Sequence, residues 1–349
     1  GRGNSRGRSD SRGGSFGGRS RGGGRGGPGP SQLPKKHIVL SEHTGEVSCF
    51  EVSESAKQLF SGARDGTVRV WSWDEGFNCV HTVHTNAPVE ALLVFEDWLF
   101  AGCQAANGQQ GVVRVWHMAS SFEQTLEGHQ GSVYCLAHGG TSAKGSPYIF
   151  SAGDDAGVKT WQFGESNSFE PVINLAGHTA CVVDMKAAGS SLLSADRSGT
   201  ICMWDLSAGT LSGTIDTKHQ NLTCIWLEEN VLLSAALDGH VRVWDASGTM
   251  LQDHLVTNRN NQPSGITAMA IVGEAATSSA SNSDASAQEY VLITACDDSA
   301  LKLWRMPNFD KRGILAQREG HSDSVHCLAK GPGNSFFSGG KDRTILVWE

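Results

Sequence analysis

No stretch of this 349-residue chain approaches the roughly 20 consecutive apolar residues of a bilayer-crossing helix. No charged-then-apolar segment opens it either, so a soluble protein without a secretory leader is expected. Metal ligands paired at short spacing, as in CxxC or HxxxH, are missing, and no metal or other cofactor is expected within these residues. Nine cysteines are scattered through the chain, and Cys49, Cys135 and Cys327 each fall two residues after a recurring valine. Recurrence at one strand position marks small buried side chains rather than a disulfide framework. The compartment expected is therefore a reducing one, nuclear and/or cytoplasmic.

What the chain has is repetition. Leu59 to Trp71, LFSGARDGTVRVW, begins with two apolar residues, passes through small residues into a polar turn, and closes on alternating apolar positions ending in tryptophan. That pattern reads as two short strands joined by a tight turn. Copies end at Trp71, Trp116, Trp161, Trp204, Trp244, Trp304 and Trp348, separated by 45, 45, 43, 40, 60 and 44 residues. The period suits a four-stranded propeller blade, and the β-branched alternation separates it from helical repeats. Residues 35 to 349 thus count as one domain, with a hydrophobic fraction of 39% sufficient for a core.

Aligned on tryptophan, the copies share polar positions. A histidine precedes a Val or Thr by four residues at His43, His129, His178, His219 and His321. An aspartate stands six before tryptophan at Asp65, Asp155, Asp238, Asp298 and Asp342, and a hydroxyl four residues earlier at Ser61, Ser151, Ser194, Ser234, Thr294 and Ser338. Repeat two has Gln110 in the aspartate place and an insertion from Cys103 to Gly111, and repeat four has Ser198 there. Both blades are expected to rely more on packing. Repeat six lacks the histidine and carries an insertion, Gly273 to Gln288, expected to be a mobile loop. A trio of His, Ser and Asp invites a catalytic-triad reading, yet one enzyme needs one nucleophile in one cleft. Five or more copies point to a structural network, and no enzyme is expected.

The Gly-His dipeptides, the aspartates six before tryptophan, and the endings Trp204-Asp205 and Trp244-Asp245 resemble WD40 repeats. The resemblance implies an all-β fold, a seven-bladed β-propeller, in which histidine, hydroxyl, aspartate and indole hydrogen-bond within a blade. Carried over residue by residue, the sets are His43, Ser61, Asp65, Trp71; His129, Ser151, Asp155, Trp161; His219, Ser234, Asp238, Trp244; and His321, Ser338, Asp342, Trp348. The family's repeat is out of phase with its blade, so the strand Lys36 to Leu40 is expected to complete the last blade and latch the ring. Three runs, NSFEPVINLAGH from Asn167, ACDDSALKLWRMPNFDKRG ending at Gly313, and the closing GPGNSFFSGGKDRTILVW, are similar to plant proteins that join CCCH zinc fingers to such a propeller. No CCCH pattern occurs here.

Function in a ring of this kind would lie in loops on one face, where Glu46, Arg64, Tyr134, Asp154, Arg197, Asp297, His326 and Lys341 are expected to meet protein or peptide partners. Their mixed signs suit a polypeptide better than a duplex. A scaffold is the favoured reading, a monomeric ring within a larger complex. A ubiquitin-ligase substrate receptor is an alternative, although no arginine closely follows either Trp-Asp dipeptide. Another alternative is RNA or metal binding through CCCH fingers outside these residues. Residues 1 to 34 are different in kind, with 13 glycines and seven arginines, Arg2, Arg6, Arg8, Arg12, Arg19, Arg21 and Arg25. Such a tail cannot bury enough surface to order itself, and it reads as an RNA-contacting segment or as a flexible linker. Its net charge is +6 against −14 for the remaining residues.

RNA binding is therefore predicted to reside in the tail. With up to seven phosphates neutralised on a single strand, log affinity should fall against log salt with a slope no steeper than about −5, from roughly 0.7 per contact. A salt titration on the full chain and on the ring from Lys35 onward checks this, and binding retained by the ring alone overturns it.

Overall fold

A computed structural model describes residues 33–105, 110–140, 147–228, 231–275, 288–316 and 318–349. Tail residues 1–32 lie outside the described residues, as does most of the repeat-six insertion. The described chain is seven four-stranded antiparallel sheets. Six are simple meanders in sequence order; the first runs Val47–Ser53, Gln58–Ala63, Thr67–Ser72, Asn78–His84. Each repeat spans the second and third strands of one blade, so its alternation is that of two adjacent central strands. No helix among the described residues is long and apolar enough to cross a membrane.

Side chains alternate across a strand, and in these blades both faces are covered. Leu59 points into the cluster shared with blade 7, and Phe60 into the cluster shared with blade 2. The same division separates Ile149 from Phe150 and Phe336 from Phe337. This is why each copy opens on two adjacent apolar residues. Trp71 and its counterparts at 161, 204, 244, 304 and 348 all face the preceding blade.

Seven apolar clusters result, one for each pair of neighbouring blades including 7 and 1. An open array of seven would have six. Closure runs through the last sheet, in which Lys36–Leu40 pairs antiparallel with Ile345–Trp348. Backbone bonds between Lys35 and Glu349, at 2.6 and 3.0 Å, extend that pairing. Leu33 packs against the cluster between blades 6 and 7.

The turn between second and third strands needs a left-handed residue just after the aspartate. Gly66 and Gly239 supply it at φ 76° and 83°, whereas Ala156, Ser299 and Arg343 adopt it at φ 55°, 62° and 67° despite carrying a Cβ. The repeat-six insertion departs from expectation at its ends. Gly273 to Ala275 and Gln288 to Tyr290 are paired strand rather than loop, so this hairpin outgrows its equivalents. Residues 276–287 lie outside the described set.

Deleting residues 36–40 bares the edge of Ile345–Trp348 and should lower the melting temperature and promote aggregation. Deleting residues 1–32 should leave melting unchanged. Equal melting of the two truncations would contradict the latch.

Candidate functional site

The shared polar positions converge inside the blades. In blade 1 the Trp71 indole N–H donates to Ser61 Oγ at 2.8 Å, Ser61 Oγ lies 2.7 Å from His43 Nε2, and His43 Nδ1 lies 3.1 Å from Asp65. One tautomer satisfies every group: the serine donates to Nε2, and Nδ1–H donates to the carboxylate. Blade 3 repeats the chain through Trp161, Ser151, His129 and Asp155, with spacings of 2.8, 2.8 and 3.0 Å. Blade 5 does so through Trp244, Ser234, His219 and Asp238, and blade 7 through Trp348, Ser338, His321 and Asp342. The serines are fully buried. A hydroxyl sealed there and already accepting from an indole cannot reach a substrate, so the arrangement holds buried polar groups satisfied rather than performing nucleophilic chemistry.

Blade 4 corrects the sequence reading. The set is complete there: Trp204 donates to Ser194 at 2.7 Å, Ser194 lies 2.6 Å from His178, and His178 Nδ1 lies 2.8 Å from Asp196, two residues earlier than the expected position. Ser198, in the aspartate place, donates to Asp196 at 2.6 Å and braces it. The signal was present in Ser194-Ala-Asp196, but a fixed offset from tryptophan skips it.

Among the described residues, blades 2 and 6 lack the network. In blade 2 Ala101 pairs with Arg114 at the register where Ser61 pairs with Arg69, so the indole has no hydroxyl, and Gln110 is exposed. Aromatic packing takes over, with Trp98 meeting Phe122, Phe163 and Phe169 at centroid distances of 5.0 to 5.2 Å. Blade 6 keeps only Trp304 donating to Thr294 at 3.1 Å, while Asp298 turns to Lys302, also at 3.1 Å.

The candidate interaction site is the mouth of the central channel. A cavity of about 480 Å³ there is lined by residues from all seven blades, among them Arg64, Glu90, Tyr134, Val183, Arg197, Leu237 and His326. The Arg197 guanidinium stands 5.9 Å from the Tyr134 ring centroid, over its face. Arg64 is shared between Glu46 and Glu90, each at 3.1 Å. Burial raises the Glu90 carboxyl against the pull of Arg64, and burial lowers His326. Four of the eight residues expected on this face, Arg64, Tyr134, Arg197 and His326, line the cavity, and Glu46 reaches it through Arg64. Asp154, Asp297 and Lys341 are not part of its lining; Asp154 accepts the Ser132 N–H at 3.2 Å.

Glu90, Val183 and Leu237 were missed. They occupy the same repeat registers as Tyr134 and Arg64, and Leu237 is 46% exposed. Their repeat register is the signal that marks them. Among the described residues no group of three or more His, Cys, Asp or Glu side chains could hold a metal, and all nine cysteines are free.

The WD40 family model, described as WD domain, G-beta repeat, matches residues 34–72, 120–162, 169–205, 209–245 and 313–349, more than half of the chain. The chain belongs to the WD40 repeat family, whose propellers typically serve as non-catalytic scaffolds for protein interaction. The five matched segments end at the five blades with complete hydrogen-bonded sets, and blades 2 and 6 go unmatched. The chain is similar to zinc finger CCCH domain-containing protein 17 of Oryza sativa subsp. japonica, 25% identical over 89% of this chain and 65% of that protein. It is likewise similar to zinc finger CCCH domain-containing protein 48 of Arabidopsis thaliana, 28% identical over 89% and 65%. Nuclear distribution protein nudF of Aspergillus niger is 23% identical over 88% of this chain and 60% of that protein. The chain thus spans about two-thirds of the length of these relatives, or less.

Asp196→Ala is expected to cost roughly 1–3 kcal/mol at neutral pH, as much as Asp155→Ala, and Ser198→Ala less. Burial pushes Asp65 up, but hydrogen bonds from Thr67, the Thr44 N–H and His43 outweigh it and hold the carboxyl at about 2. Asp238 is also held at about 2, burial being outweighed by His219 and backbone N–H groups. Carboxyls depressed on folding contribute stability that is complete above the ordinary value near 3.9 and is lost as pH falls from there through about 2. Asp196 is depressed in the same way, so Asp196→Ala should flatten this acid limb. Urea unfolding from pH 7 down to pH 2 checks both; an unchanged midpoint at neutral pH rejects the assignment.

Proposed function

We propose that this chain is a non-catalytic protein-interaction scaffold that receives a segment of a partner protein at the channel mouth, while its arginine- and glycine-rich tail contacts RNA. The observation that carries the first half is the two-sided cavity. Tyr134, Val183 and Leu237 offer apolar surface, Arg64 and Glu90 offer charge, and His326 adds a polar ring. Its volume lies within the range of side-chain and small-ligand sites. A tyrosine beneath an arginine guanidinium pairs two of the residue types that dominate interface hot spots. For the tail the support is electrostatic: seven arginines precede a ring of net charge −14, which repels phosphate. Nine free cysteines suit a nuclear or cytoplasmic setting. The CCCH relatives bear zinc fingers in their names.

Tyr134→Ala combined with Leu237→Ala should weaken capture of protein partners from cell extract by about tenfold or more, without lowering the melting temperature. Truncating residues 1–32 should remove only the RNase-sensitive fraction. Capture unchanged in the double variant overturns the channel-mouth assignment.

A further inference from the structure

Blade 6 holds a second cavity, of about 620 Å³, which follows from what this blade has lost. In blade 1 the connection entering the blade folds over the aspartate turn. His43 and the Thr44 N–H bind Asp65 at 3.1 and 2.8 Å, and Glu42 pairs with Arg69 at 2.6 Å, so the space is filled. In blade 6 no histidine reaches Asp298. The incoming connection closes on itself instead: Thr257 bridges to Pro263, and Asn258 Oδ1 accepts the N–H groups of Asn260 and Gln262 at 2.8 and 3.1 Å. The pocket opens between that connection and the segment that follows the outer strand Asp310–Leu315.

Its walls are cationic. Arg259 lines it from the incoming connection and Arg318 from the outgoing one; both are exposed, and neither has an ion-pair or hydrogen-bond partner among the described residues. At the floor Lys302, with a side chain only 3% exposed, is held by Asp298 at 3.1 Å. Glu319 at the rim is the remaining carboxylate of the lining. Two guanidinium groups, one from each connection that flanks the pocket, offer fork-shaped donors to an anion with several acceptor oxygens, within a ring of net charge −14.

We propose that this pocket binds a phosphate monoester on a serine or threonine of a partner polypeptide, with Arg259 and Arg318 as its ligands. The neutral Asn258 amide adds polar lining, and Lys302 stays paired with Asp298 at the floor. The assignment rests on the reading of the ring as a protein-interaction scaffold and adds a chemical requirement on the partner. The carboxylate of Glu319 lowers affinity for any anion and keeps the site from serving as a general polyanion trap.

The test is fluorescence polarisation on the full chain at physiological ionic strength, with a fluorescein-labelled peptide library degenerate around one fixed phosphoserine. Tighter binding of this library than of its serine counterpart is expected. Arg259→Ala and Arg318→Ala should each weaken it by about tenfold at unchanged melting temperature, and Glu319→Gln should tighten it. The arginine-rich tail contributes equally to all of these proteins, so the differences report the pocket. Equal affinity for the two libraries overturns the proposal, as does indifference to both arginine substitutions. Inorganic phosphate competing as well as the peptide, or single-stranded RNA losing affinity equally in the arginine variants, also overturns it in favour of a free-anion or phosphodiester site. Tyr134→Ala should leave the phosphopeptide signal intact. If the arginine variants are silent while Tyr134→Ala abolishes partner capture, the pocket assignment fails and the channel-mouth reading stands.

Discussion

Every blade here has two apolar faces, and a four-stranded sheet can bury both only between two other sheets. That constraint governs the molecule. It puts one apolar cluster between each pair of neighbours, requires as many clusters as blades, and so requires the ring to close. Closure in turn requires a strand from the beginning of the chain to pair with one from its end, which Lys36–Leu40 and Ile345–Trp348 do. Val347 and Leu40 then enter the same cluster as Trp71, so the first and last blades share a core.

Burying sheets this thoroughly also buries polar atoms. An indole N–H facing the preceding blade has no water, and its serine, histidine and aspartate form a graded path from the dry interior to the half-exposed turn. Asp65 is therefore the anchor of the turn as well as the end of the chain, accepting from the Thr44 and Thr67 N–H groups. Blade 4 shows how tolerant the device is: an aspartate two residues away reaches the same histidine nitrogen when a serine braces it. Blade 2 shows that packing of aromatic rings can substitute for it altogether. In blade 6 loss of the histidine was not filled in, and an open pocket is the consequence, lined by two arginines without partners among the described residues.

Because structural demand consumes the repeated positions, whatever is specific to this chain must lie where the repeats differ. The turn residues before each aspartate are arginine, aspartate, leucine or lysine, and the residue after each recurring inner-strand position is serine, glutamate, tyrosine, valine, threonine or histidine. The inner-strand register, with Arg64, Arg197 and Leu237 from the turns, converges on the channel mouth, so a scaffold of near-identical blades presents a face on which no two sectors are alike. That face is asymmetric, with Tyr134 and Leu237 on one side and the Arg64 and Glu90 ion pair on the other.

Fold class, blade number, the latch and four of the five complete hydrogen-bonded sets were legible in the linear sequence, because a repeat writes the same local instructions many times. Adjacent apolar residues at the start of each copy specify a strand buried on both faces, and seven tryptophans recurring at blade-length intervals specify seven blades. Other features depended on distances that no spacing encodes. Asp196 escaped because side-chain reach, not sequence offset, decides which carboxylate meets His178. Leu237 and Glu90 stand at registers the sequence marks, but that they share one cavity with residues of other blades, up to hundreds of residues away, is decided by ring closure. The extended hairpin of blade 6 continued through a glycine- and alanine-rich run because pairing across Gly273 and Tyr290 outweighs weak strand propensity. Its pocket, likewise, is a space left by an absent side chain, and a void exists only once the walls around it are placed.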